Sequence, residues 1–165
     1  MSICMTPEEY YNTFVSGNYE DFKDHSGCVR RAFNAAVAAS HLADHCYNFY
    51  SRNNASKIAH YKGIGEYIEH ISQCTQGAFI DIRSIANAYK HLYESPKMEK
   101  FSTISSAGTI EAIPIKDEDV QEIYQNFIYE PSSSDAVFYT TKKGEHKEFI
   151  LTLKTVIDYW GENLP

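Results

Sequence analysis

Apolar side chains recur at helical spacing through the first hundred residues of this chain and give way to short β-forming runs after that. Thr6-Pro7-Glu8-Glu9 opens the pattern as a helix start. Thr stands at the N-cap, Pro at the first position, and Glu in the first turn beside the positive end of the macrodipole. The spacing predicts a short helix ending at Ser16-Gly17-Asn18 and a second break at Ser26-Gly27. Residues 28–52 then read as one long Ala-rich helix closed by Asn53-Asn54, with Ala32, Ala35, Ala39, Leu42, Cys46, Phe49 and Tyr50 on a shared core face. Tyr61, Ile64, Ile68 and Ile71 mark a further helix, followed by Gly77. Another apolar stripe runs through Ile82, Ile85, Ala86, Tyr89, Leu92 and Tyr93 until Ser95-Pro96 ends it.

The pattern changes at Phe101. A Ser/Gly-rich connection leads into β-forming residues at 109–115, and 135–141 followed by Lys142-Lys143-Gly144-Glu145 reads as a strand entering a hairpin turn. Phe149, Leu153, Val156, Ile157 and Trp160 return to helical spacing. The expected fold class is α+β, mostly α: a bundle of four to five helices with a small β-hairpin or sheet insertion before a C-terminal helix. It forms a single domain over 1–165, with the bundle in 1–100, the β-rich insertion in 101–148 and the last helix in 149–163. A chain of 165 residues with 43% hydrophobic content suits one core and falls short of two comfortable domains.

Charge narrows the partners. The formal net charge of -7 removes any global attraction to polyanions or anionic membranes, so a polyanion would need a local basic patch. Acids gather after Glu111, as in Lys116-Asp117-Glu118-Asp119, whereas 57–100 is close to neutral and would be the favoured side. Cys4, Cys28, Cys46 and Cys74 include no CxxC pair, which points to free thiols in a reducing cytoplasm rather than a zinc ribbon or a disulfide framework. Residues 1–11 carry Glu8 and Glu9 and no basic region before an apolar run, and no apolar stretch reaches transmembrane length. A cytoplasmic protein without membrane contact is expected.

The candidate chemistry lies on two helical stripes. On a wheel of about 100° per residue, Asn34, His41, His45 and Asn48 fall in one arc of the long helix, with Asp44 at its edge. Arg30 and Arg52 share that arc, as they would on an ordinary solvent face. Yet the middle of the helix has neither Lys nor Glu, the better helix formers a solvated face usually carries. The second stripe holds Arg83, Asn87, Lys90, His91 and Glu94. Facing each other, the stripes would make a site; facing water, they are two amphipathic helices.

Other chemistries find less to work with. His41 and His45, at i and i+4, have a spacing that lets two imidazoles share an ion, with Asp44 or His91 completing the set, but there is no HExxH glutamate. His70 and Cys74 repeat the spacing. No GxSxG elbow and no Gly-rich phosphate loop is present, and no cofactor is expected. Cys46 points about 100° away from His45 on a helix and reads as a core cysteine. The thirteen tyrosines lie mostly on apolar faces, for core or interface use rather than base stacking.

The run AFNAAVAASHLADHCYNFY together with IRSIANAYKHL resembles uncharacterised bacterial and phage-associated helical proteins in which an A-x-N…HL-x-D helix precedes an I-A-N-x-x-KH helix. That set is similar to the HEPN superfamily of α-helical bundles. The resemblance covers residues 28–92. It implies a bundle that commonly dimerises, with some members acting as RNA-cutting toxins or defence nucleases and others as non-catalytic partners. In the catalytic members an Arg, four to six intervening residues and a His form the active motif, with the His acting in acid–base catalysis of metal-independent RNA cleavage. Here seven residues separate Arg83 from His91. If chemistry is carried over, the resemblance assigns proton transfer to His91, phosphate-charge stabilisation to Lys90 or Arg83, and a polar orienting role to Asn87.

The functional expectation is thus an RNA- or nucleotide-directed, HEPN-like protein of a defence or mobile-element setting, forming a homodimer through an aromatic or Ala-rich helical face. A non-catalytic protein-interaction module and a metal-binding bundle on His41, Asp44, His45 and His91 are the alternatives.

Overall fold

A computed structural model describes residues 5–88, 107–114, 135–141 and 143–165. The first helical stretch joins α1 (Pro7–Tyr10), a π-helical turn (Tyr11–Ser16) and α2 (Gly17–Lys23) without a break. A capping box starts it: Thr6 Oγ1 accepts from the Glu9 amide at 3.2 Å, and the Thr6 amide donates to Glu9 Oε2 at 2.8 Å. The expected stop at Ser16-Gly17-Asn18 does not occur. Ser16 and Gly17 keep right-handed helical dihedrals, and the Asn18 amide donates back to the Phe14 carbonyl at 2.7 Å. Val15 and Phe22, each only 1% exposed, bury their side chains on either side of the glycine, and this packing overrides a weak local propensity.

The long helix α3 (Val29–Asn53) is the centre of the molecule. Ala32, Ala35, Ala39, Leu42 and Cys46 are buried as expected, and so are Ala36, Ala38, Ser40 and Ala43, so burial reaches well around the cylinder. Phe49 and Tyr50, at the end of the same face, are half-buried. Small side chains on α3 let α2, α4 (Ile64–Cys74), α5 (Ala78–Ala88) and the C-terminal α6 (Phe149–Asn163) pack against it. The Ala-rich face is therefore consumed inside the chain and is not available as a dimer surface.

Between α4 and α5, Thr75 Oγ1 accepts from the Phe79 amide at 3.1 Å, and Gly77 takes φ +87°, which a side chain would strain. The tight corner lays α5 along α3.

Strands β1 (Ala107–Pro114), β2 (Asp135–Thr141) and β3 (His146–Glu148) form an antiparallel sheet in the order β1-β2-β3. Ile110 pairs with Tyr139, and Tyr139 with Lys147. The β2–β3 turn uses Gly144 at φ +81°, where the sequence places the hairpin. Val137 and Tyr139 join the helical core, and α6 buries Phe149, Ile150, Leu153, Val156, Ile157 and Trp160 against it. Fold class and element order agree with the expectation. Among the described residues, no helix is long and apolar enough to cross a membrane.

Candidate functional site

Two registers bring the polar stripes together. Because α5 lies along α3, Arg83 on α5 reaches Asp44 on α3: Nη1 donates to Oδ2 at 2.7 Å, and Nη2 lies 3.4 Å from Oδ1. The guanidinium also approaches Ser40 Oγ at 3.5 Å. Arg83 and Asn87 from α5, and His41, Asp44, His45 and Asn48 from α3, line a single cleft of about 470 Å³. Tyr10, from the end of α1, forms its remaining wall.

The stripe divides into parts with different surroundings. Its ends, Arg30, Asn34 and Arg52, are exposed, and Asn34 does not line the cleft. Asp44, His45, Arg83 and Asn87 are half-buried in its middle, whereas His41 and Asn48 lie at the exposed margin. The Asn48 amide donates to the Asp44 carbonyl at 2.8 Å. Lys90 and His91 lie outside the described residues, as do Tyr89, Leu92, Tyr93, Ser95 and Pro96.

His45 is the most constrained group in the cleft. Its ring stacks on Tyr10 with centroids 5.0 Å apart and planes 24° apart, and Phe49 stands 6.3 Å away on the same helix. Nε2 sits 2.7 Å from the Met5 carbonyl. A carbonyl can only accept, so Nε2 donates in this contact, which fixes the orientation of the ring and leaves Nδ1 on its other side. Burial raises the Tyr10 phenol above its ordinary range, which keeps that wall a neutral donor.

No known protein-family model, curated protein or solved structure matches this chain.

Chemically, the cleft offers two imidazoles one helical turn apart, amides from Asn48 and Asn87, and a guanidinium anchored by a carboxylate. Arg83 keeps its Nε–H and one Nη2–H without partners among the described residues, so it can still serve an incoming anionic oxygen. A metal set on His41, Asp44 and His45 meets competition: Asp44 holds Arg83 and His45 Nε2 holds Met5. Among the described residues, no group of three or more His, Cys, Asp and Glu side chains is arranged to hold a metal ion. His70 Nε2 and Cys74 Sγ do come within 3.5 Å of each other, but on the exposed side of α4.

Tyr10 and the Met5 carbonyl were not among the sequence candidates. Tyr10 follows the capping residues of the first helix, and only the docking of α1 across α3 puts it beside His45. The capping residues at 6–9 marked where that helix begins, but nothing in their pattern marked what it would touch.

Proposed function

We propose that this chain is an RNA- or nucleotide-directed protein of HEPN-like type whose ligand occupies the cleft between α3 and α5. One observation carries the reading: Arg83 and Asn87 stand across one cleft from His41, Asp44, His45 and Asn48. Proton-transfer groups, a guanidinium and amide donors around one opening form a set suited to a phosphodiester and to metal-independent transfer of its protons. In this scheme Arg83 meets phosphate charge, Asn87 and Asn48 orient the ligand, and His41 or His45 joins His91 as a proton-transfer group. A homodimer belongs to the reading and would use a surface other than the buried Ala face.

The test is incubation of end-labelled single-stranded RNA with the protein in EDTA, with binding and cleavage scored separately. We expect binding that persists in EDTA and weakens at least tenfold in Arg83→Gln, with any cleavage lost in His91→Ala. Loss of function on adding EDTA would overturn the reading in favour of a metal site. Wild type and variants behaving alike in every nucleic-acid assay would leave the protein-interaction module.

A further inference from the structure

We propose that Phe14 and Tyr10 form a stacking ledge for an unpaired nucleobase beside the cleft, so that the ligand is single-stranded. This rests on the RNA or nucleotide reading of the cleft.

Phe14 is the exposed large hydrophobic side chain among the described residues, with 43% of its surface open. It is not isolated. Its ring lies 5.1 Å from Tyr10, Tyr10 lies 5.0 Å from His45, and His45 lies 6.3 Å from Phe49, so four rings run in series, and the middle two line the cleft. Tyr10 belongs to both features, as a wall of the polar cleft and as the ring next to the exposed Phe14.

The backbone here is also unusual. Tyr11–Ser16 is π-helical, a conformation that is rare and concentrated at functional sites, and Phe14 sits within it. The Phe14 carbonyl accepts from the Gly17 backbone amide and also from the Asn18 side-chain amide at 2.7 Å. Phe14 stands exposed on this wide turn.

An occupant spanning both features needs a flat π-face over Phe14 and, beyond Tyr10, anionic or acceptor oxygens for the imidazoles and for the Arg83 donors that have no partner among the described residues. A nucleotide has both parts. Aromatic stacking accepts any base, but the base must be unpaired to offer its face, which excludes a continuous duplex. Asp44 offsets the charge of Arg83, so stacking would supply affinity that electrostatics does not.

The experiment uses the full chain, fluorescein-labelled oligoadenylate, the same strand annealed into a duplex, and an abasic oligomer of equal length. Phe14→Ala should weaken oligoadenylate binding about five- to a hundredfold, the range for one stacked base, and leave the abasic oligomer unaffected. Phe14→Trp should restore binding. Its fluorescence should be quenched by oligoadenylate, and the signal is separable because the single native tryptophan, Trp160, is 0% exposed. Equal affinity for duplex and single strand, or unchanged binding in Phe14→Ala while Arg83→Gln abolishes it, overturns the ledge and leaves the cleft. Failure of wild type to bind any of the three, or indifference to Arg83→Gln, overturns the cleft and the ledge with it. A dimer that dissociates in Phe14→Ala with RNA affinity unchanged would assign the ring to a protein interface and overturn the ledge.

Discussion

Arg83 on α5 grips Asp44 on α3 through both carboxylate oxygens, at 2.7 and 3.4 Å, and so ties the two polar stripes into one wall-to-wall cleft. The side chains are 25% and 38% exposed, so water screens the pair and its share of stability is small. A double-mutant cycle with Arg83→Gln and Asp44→Asn should give a coupling of about 0.5–1 kcal/mol in urea unfolding. A coupling of several kcal/mol would mean that the pair is a folding element and not chiefly a site.

The other flank of α5 is pinned to the sheet. Tyr139, 0% exposed, donates to Asp81 Oδ2 at 2.7 Å and meets Thr152 Oγ1 at 2.9 Å, and Lys147 Nζ reaches the same carboxylate oxygen at 3.1 Å. Tyr139→Phe removes the hydroxyl but leaves Asp81 its lysine, so a loss of about 1 kcal/mol is expected. Calorimetry should show a fall in Tm of about 2–4 °C. An unchanged Tm would show that the hydroxyl contributes nothing net.

Gly17 sits inside a continuous helix with φ -59°, and a Cβ built there meets nothing within 4 Å. Gly17→Ala should therefore stabilise the chain by about 0.5–1 kcal/mol by lowering the entropy lost on folding. A thermal melt that moves downward would indicate that the π-helical turn needs the glycine.

Burial pushes the Cys46 thiol up from 9.0 to about 12 and the Tyr159 phenol up from 10.0 to about 12. Above the unfolded values the unfolded chain has released these protons while the native chain retains them. Stability is thus fully present below about pH 9 and declines as pH rises toward about 12. Urea midpoints measured across that window should fall, and less steeply in Cys46→Ala. Parallel slopes for the two proteins would show that the thiol does not titrate differently on folding.

Most of the elements are legible in the sequence because each rests on local chemistry. Thr6-Pro7-Glu8-Glu9 carries its own capping groups, the Gly144 turn requires a positive φ, and the 149–160 spacing has one apolar face that must be buried. Gly17 is the instructive exception. Read locally it ends a helix, but Val15 and Phe22 gain more by burial than the glycine costs.

The candidate site was legible in half. The absence of Lys and Glu from the middle of α3 singled out His41, Asp44, His45 and Asn48, and the second stripe singled out Arg83 and Asn87. Their composition did not separate the exposed Asn34 from the cleft-lining Asp44, since both fall near one arc of the same wheel.

By itself the sequence determined the fold class and most of the described helices and strands, because periodicity, caps and turn residues act over a few neighbours. Only the tertiary structure decided that the stripes face each other and that Tyr10 closes the cleft beside His45. Those contacts join residues about forty apart in the chain; they depend on how closely an alanine face lets other helices approach, a property of packed surfaces that no local pattern encodes.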